Sequence, residues 1–350
     1  MQTLPDESPA VIAGVDTHTD THTAAVIDHR GRILGTKTFP TSRAGYRDLS
    51  SWCCSFGRVT QFGIEGTSSY GRGLCDHLSE NGFEILEVVR PNRQHRRRHG
   101  KSDPTDAIAA ARAVLSGEAD SRPKLHGGPV EAIRALQVAR VSAVKARTQA
   151  IVQLHHLIIT GPDPLRRQLE PLSNLKRART CAAWRPEPTS SPHEAIRYAM
   201  RTLARRWIEL GVEVTELTGQ LDRITRECAP TLRALPGVGT DTAARLLITA
   251  GDNPERLRNE AAFAALCGTS PVDASSGRQQ RHRLNRGGDR RANNALWRIT
   301  LVRMGHDPAT QAYVQRRLEE GRTKTEIMRC LKRYIARQTH RALLNDLTPT

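Results

Sequence analysis

The tightest constraint on this chain is a series of short apolar runs of β type, several of which end on an acid. AVIAGVD (10–16) and HTAAVID (22–28) read as buried strands, HRGR (29–32) as a turn, and ILGTKTFPT as a third strand. VTQFGIE (59–65) and FEILEVV (83–89) read as two more, with helices expected over 42–54 and 70–81. Three strands followed by alternating helix and strand predict an α/β domain with a mixed sheet and flanking helices. A basic polar stretch, RPNRQHRRRHGKS, follows, and then a helix over 104–115.

Four carboxylates stand at informative places in this pattern. Asp16 and Glu65 close strand-like runs, while Asp103 and Asp106 open the 104–115 helix three residues apart and so share one face. Like charges gathered this closely persist when cations neutralise them. Two divalent ions about 3.5–4 Å apart can activate one phosphate oxygen and stabilise another. Mg²⁺ prefers such carboxylate oxygens. For the Asp103/Asp106 pair alone, an N-cap and a helix-start acid would serve equally well.

The second half of the chain reads as helical. Val130, Ile133, Leu136, Val141, Val144, Ile151, Leu154 and Leu157 recur at helical spacing over 129–160, GPDP breaks the pattern, 171–193 reads as a Pro- and Ser-rich linker, and a second long helix covers 192–227. The two long helices suit a coiled coil, antiparallel or between chains, or a plain hairpin within one chain. LRALPGVGTDTAARLLITAG (232–251) reads as helix, glycine turn, helix. There Gly237 and Gly239 permit the turn, and their N–H groups beside a helix start suit a phosphate, as in a helix-hairpin-helix; an ordinary helical turn is the other reading. Domain limits are expected at 1–125, 126–228 and 229–350.

Charge separates these regions. Residues 1–90 hold 8 Lys and Arg against 11 Asp and Glu, and the remainder 45 against 25, in a chain of net charge +17. Such a field draws polyanions and makes their binding salt-sensitive. Only 7 of the 53 basic residues are Lys, and arginine makes the forked phosphate contacts that lysine does not. Arg96, Arg97 and Arg98 form one candidate nucleic-acid contact; Arg278, Arg281, Arg283, Arg286, Arg290 and Arg291 form another. The second cluster follows Ser275-Ser276-Gly277. A serine hydroxyl among guanidiniums can attack a phosphodiester; a basic loop that only binds is the alternative. No apolar run reaches membrane length, the start lacks the basic and apolar parts of a signal peptide, and seven cysteines without a CxxC pair suit a reduced cytoplasmic protein.

Taken together, GVDTHTDTHTAAVID, FGIEGTSSYG, GKSDPTDAIAAAR, LPGVGTDTAARLL and FAALCGTSPVDASSG with RGGDRRANNAL resemble, in order, the DEDD-type transposases of the IS-one-ten family of insertion sequences. The resemblance spans nearly the whole chain. It implies a RuvC-like, ribonuclease-H-type N-terminal domain binding Mg²⁺ through Asp16, Glu65, Asp103 and Asp106. It implies a catalytic serine in the C-terminal domain, with Ser276 matching best and Ser275 next. It also implies recombination of donor and target DNA, homodimers or homotetramers built through the coiled-coil region, and guidance by a structured RNA from the element's own non-coding end. An active site could then draw its acids and its serine from different subunits. A metal-dependent junction endonuclease using the four acids alone is the competing function.

Overall fold

A computed structural model describes residues 9–88, 102–124, 127–185, 191–277 and 282–348. The chain divides into two compact units, Met1–His126 and Gly127–Thr350.

The first unit is built on a five-stranded sheet. Strands β1 (Ala10–Thr17), β2 (Thr21–Asp28), β3 (Ile33–Pro40), β4 (Arg58–Glu65) and β5 (Ile85–Val88) lie in the order β3-β2-β1-β4-β5. β1 pairs antiparallel with β2 and β2 with β3, whereas β1–β4 and β4–β5 are parallel. Helices α1 (Arg43–Cys54) and α2 (Arg72–Glu80) provide the crossovers into the parallel half. Alternation along β1 assigns its two faces. Val11, Ala13 and Val15 pack with Leu49 and Cys53 of α1 and Leu74 and Leu78 of α2. Ile12 joins Leu86, Val88, Ala110 and Val114 on the opposite face, under helix α3 (Asp103–Leu115). Both faces of β1 and β2 are therefore covered, which is why their sequences are apolar throughout rather than alternating. β3 is the exposed edge, and its Thr36, Lys37 and Thr38 suit that position.

Two glycines let α3 lie directly on the sheet. A Cβ at Gly14 would come within 2.2 Å of Ala107 O and 2.3 Å of Ala111 N. One at Gly63 would come within 2.6 Å of Val114 and 2.8 Å of Ala110 O. The approach is backbone against backbone, which no larger residue permits.

In the second unit, α4 (Pro129–Thr160) and α7 (Pro192–Cys228) form a long antiparallel hairpin within the chain. Arg140 Nε donates to Thr218 Oγ1 at 2.8 Å, the Arg147 guanidinium lies 4.3 Å from the centre of the Trp207 ring, and Leu154 and Ile158 pack with Met200 and Ala204. Between them run α5 (Asp163–Leu169) and α6 (Asn174–Ala183). The expected 171–193 linker is corrected here, because α6 is a packed helix. Ala178 and Cys181 are buried against α7, and the buried Arg177 donates to the carbonyls of Leu169, Glu170 and Leu172. Flanking prolines and serines hide that short helix in the sequence, whereas one arginine satisfying three carbonyls holds its start in place.

A helical cluster completes the unit: α8 (Pro230–Ala234), α9 (Thr240–Ala250), α10 (Glu260–Leu266), α11 (Arg290–His306), α12 (Pro308–Glu319) and α13 (Lys324–Leu347). Its core gathers Leu232, Leu246, Leu247, Phe263, Leu296, Ile299, Ile335 and Leu343, with Val130, Ile133 and Leu221 from the hairpin. Around the serines and arginines, where the sequence suggests a basic loop, the chain forms a two-stranded ribbon, β6 (Val272–Asp273) against β7 (His282–Arg283).

Candidate metal centre and serine ribbon

Parallel pairing places the first two acids side by side. Val15 is in register with Ile64, so Asp16 and Glu65 leave the sheet next to each other, and Thr17 Oγ1 donates to Glu65 O at 2.8 Å. Asp16 lies two residues beyond Gly14, and Glu65 two beyond Gly63, so both acids share the sheet face on which α3 rests. Helix α3 begins there. Ser102 is its N-cap, and Asp103 and Asp106 lie in its first turn, where the helix dipole favours negative charge. The close approach at the two glycines thus determines how near these acids come to Asp16.

The four acids share one electrostatic site. Burial pushes the Asp16 carboxyl above the usual carboxylate range; His18 opposes that rise, and Asp106, Glu65 and Asp103 add to it. Asp16 and Asp106 are both buried, at 6% exposure each. The sequence reading missed His18. Its Nε2 lies 3.1 Å from Asp16 Oδ2 and 3.3 Å from Asp103 Oδ1. The signal was present in DTH: residues two apart at a strand's end fall on the same face.

This donor set fits a divalent cation. Asp16 Oδ2 is buried and accepts no hydrogen bond. Asp16, His18 and Asp103 each offer a ligand atom, all within 4.8 Å of one another. A buried carboxylate oxygen left without a donor is costly unless a cation completes it. Asp16 and Asp103, with His18, are the residues whose ligand atoms stand close enough to share such an ion, and Asp106 and Glu65 add negative charge beside them.

The serine belongs to the second unit. Ser276 is exposed and lies, with Gly277 at φ +57°, beyond the end of β6. Ser275 is fastened instead. Its hydroxyl and its amide both donate to Asp273, the amide at 2.8 Å, and together they hold that carboxyl below its usual range. The return of the ribbon is anchored: Asp289 N donates to Leu266 O at 2.7 Å, and Asn293 Nδ2 donates to Cys267 O and Gly268 O. Arg283 on β7, Arg286 in the following loop, and Arg290 and Arg291 at the start of α11 are exposed. Arg96, Arg97, Arg98, Arg278 and Arg281 lie outside the described residues.

Gly237, at φ +76°, makes the turn between α8 and α9 and packs on Ile299 and Arg303, while Gly239 is exposed at the N-cap of α9. Two acids attend that helix start. Asp222 accepts from Thr240 and Arg233, and Asp241 accepts from Gln137 and Arg140.

Comparison with known proteins covers both regions. Residues 13–160 match a DEDD-type transposase domain named for IS110, and residues 229–315 match the transposase domain of the IS116/IS110/IS902 family. The four acids fall in the first match, and Ser276 with its described arginines falls in the second. A mini-circle protein of Streptomyces coelicolor, described as a putative transposase for IS117, is 23% identical over 97% of this chain and 95% of its own length. An IS110 protein of the same organism is 35% identical over 30% of this chain and 26% of its own length. The transposase of IS1328 from Yersinia enterocolitica is 29% identical over 58% and 59% of the two chains. With both domains present in order on one chain, and a relative that aligns from end to end, the protein belongs to the IS110 (IS-one-ten) family of transposases.

Proposed function

We propose that this chain is the transposase of an insertion sequence, cutting and rejoining DNA through a covalent link to Ser276, with Mg²⁺ at the acid cluster. The observation that carries the reading is the convergence of Asp16, Glu65, Asp103 and Asp106 around a buried carboxylate oxygen that lacks a donor. When bound there, divalent cations neutralise charge on a phosphate and polarise its oxygens.

The chain's own residues have separable roles. Asp16, at the strand end, fixes the centre of the acid set, and α3 delivers Asp103 and Asp106 as one rigid pair. Ser276 supplies the nucleophile. Its Oγ–P ester forms as one P–O ester of the DNA breaks, and the departing DNA oxygen leaves as a hydroxyl. Rejoining reverses this, so the bond energy is retained and no nucleotide cofactor is required. Engagement of the Ser275 hydroxyl with Asp273 supports Ser276 over Ser275. The exposed Arg283, Arg286, Arg290 and Arg291 contact the DNA backbone and offset charge at the reacting phosphate.

Assembly as a dimer or tetramer is supported by the apolar surface that the hairpin leaves exposed, including Val138, Val141, Val152 and Ile159 on α4 and Val212 on α7. Guidance by a structured RNA rests on the family resemblance. No helix among the described residues is long and apolar enough to cross a membrane, and we place the reaction on DNA in the bacterial cytoplasm.

A suicide DNA substrate that cannot be rejoined tests the proposal. The wild type should become covalently attached at Ser276, Ser275→Ala should still attach, and Ser276→Ala and Asp16→Asn should not. Cleavage that survives Ser276→Ala would make the chain a metal-dependent nuclease of the acid cluster. Recovery of a discrete small RNA with the purified protein would support guidance; recovery of none from active protein would count against it.

A further inference from the structure

We propose that His18 Nε2 is a direct ligand of the cation held by Asp16 and Asp103, giving this carboxylate centre one nitrogen donor and a preference for Mn²⁺ over Mg²⁺. The inference rests on the cation reading above and adds to it a residue outside the four acids.

Three features of His18 point this way. Its Nε2 stands 3.1 Å from Asp16 Oδ2 and 3.3 Å from Asp103 Oδ1. Adjacent ligands around one ion, with bonds of roughly 2.0–2.2 Å, stand roughly 3.0–3.3 Å apart. The spacing therefore matches neighbouring corners of one coordination shell. The distance to Asp16 Oδ2 would also suit a hydrogen bond, but the two groups are not aligned for one: Nε2 and Asp16 Oδ2 are both buried, and neither has a hydrogen-bond partner. Asp16 is more than nine-tenths buried, so its orphaned oxygen is enclosed against the imidazole rather than turned to water.

The backbone keeps His18 in place. Its N–H donates to Thr21 O at 3.0 Å across the β1–β2 turn, and its carbonyl accepts from Thr41 Oγ1 at 3.4 Å. The side chains of His18 and Asp103 are 40% and 47% exposed, so the centre borders solvent rather than being sealed inside the fold. Carboxylates alone suit Mg²⁺, whereas an added imidazole moves the preference toward first-row transition ions.

Mn²⁺ is the probe, added as one equivalent to the full-length chain and followed by pulsed electron paramagnetic resonance and by calorimetry. The expected wild-type spectrum shows ¹⁴N coupling from a directly bound imidazole. His18→Gln should lose that coupling and bind Mn²⁺ about 10- to 100-fold more weakly, with Mg²⁺ affinity little changed. Asp16→Asn should abolish tight binding of both ions, which locates the signal at this centre. Should His18→Gln fail to fold by circular dichroism, the smaller His18→Asn provides the same readout. Mn²⁺ that binds in an Asp16-dependent way without ¹⁴N coupling, or with coupling that survives removal of His18, overturns the inference and leaves the acid centre standing. A wild type that binds neither ion overturns both.

Discussion

Asp16 is where the physical argument is most concentrated. Burial and three neighbouring acids make its ionised form costly, and only His18 opposes them. A group held this way makes the folded protein depend on a counter-charge. We therefore expect Asp16→Asn to melt at or above the wild-type temperature in chelator, because the substitution removes a buried charge that nothing fully neutralises. Saturating divalent cation should raise the N-terminal transition of the wild type by roughly 5–15 °C and leave that of Asp16→Asn almost unmoved. Differential scanning calorimetry with and without chelator makes the comparison. A wild-type transition insensitive to cation would show that the four acids do not form a binding centre. The same residue shows what one-dimensional reading leaves out. Asp16, Glu65, Asp103 and Asp106 were legible because each occupies a recognisable position, a strand end or a helix start. His18 is the i+2 neighbour of Asp16, one residue past the end of β1, and was equally accessible, yet one histidine in a threonine-rich turn has no distinctive spacing until a carboxylate from α3 is seen beside it.

At the scale of elements, the position of α3 on the sheet governs the site. Its start carries Asp103 and Asp106, and its distance from β1 is set by two glycines whose missing side chains let Ala107, Ala110 and Ala111 approach the strands. Gly14→Val would place a branched side chain where a carbonyl oxygen and an amide nitrogen already stand. Overpacking of this kind costs about 1–3 kcal/mol, and the strain is relieved by moving α3 outward. The expected result is a lower denaturation midpoint together with weaker divalent-cation binding, since Asp103 and Asp106 move with the helix. Gly82→Ala is the control: no atom lies within 4 Å of a Cβ there, but φ is +77°, so it loses stability through the backbone alone and should keep its cation affinity. Equal cation affinity in Gly14→Val and the wild type would remove α3 docking from the account. The strands, α1, α2 and the long helices of the second unit were legible because each buries a periodic apolar face. Helix α6 was not, because its ten residues are held by Arg177 and by packing on α7, and a buried arginine capping three carbonyls reads in sequence as one more solvated charge. The β6–β7 ribbon was missed for a related reason: two residues per strand are too few to alternate visibly.

Over the whole molecule, charge divides as the two units do. Residues 1–126 carry 16 Lys and Arg against 15 Asp and Glu, while residues 127–350 carry 37 against 21, so the first unit is close to neutral and the second has a net +16. Part of that excess is neutralised locally, as where Arg140 and Arg245 pair with Asp241, Arg233 with Asp222, and Arg333 and Arg337 with Glu260. Arg283, Arg286, Arg290 and Arg291 are different, because they are exposed and pair with no carboxylate among the described residues. Phosphates that meet such side chains release condensed counterions, and affinity then falls with salt in proportion to the number of phosphates engaged. Binding of duplex DNA by the full chain should weaken by about 10³- to 10⁵-fold between 50 and 200 mM salt if 6–10 phosphates are engaged. Replacing Arg290 and Arg291 by Gln should lower the slope of log affinity against log salt by about one for each phosphate no longer held, whatever the DNA sequence. Fluorescence anisotropy across a salt series measures both quantities, with Ca²⁺ replacing Mg²⁺ so that the DNA stays intact. An affinity that is flat across that range would mean that the +16 of the second unit serves something other than a phosphate backbone, and the proposed roles of the exposed arginines would fall with it.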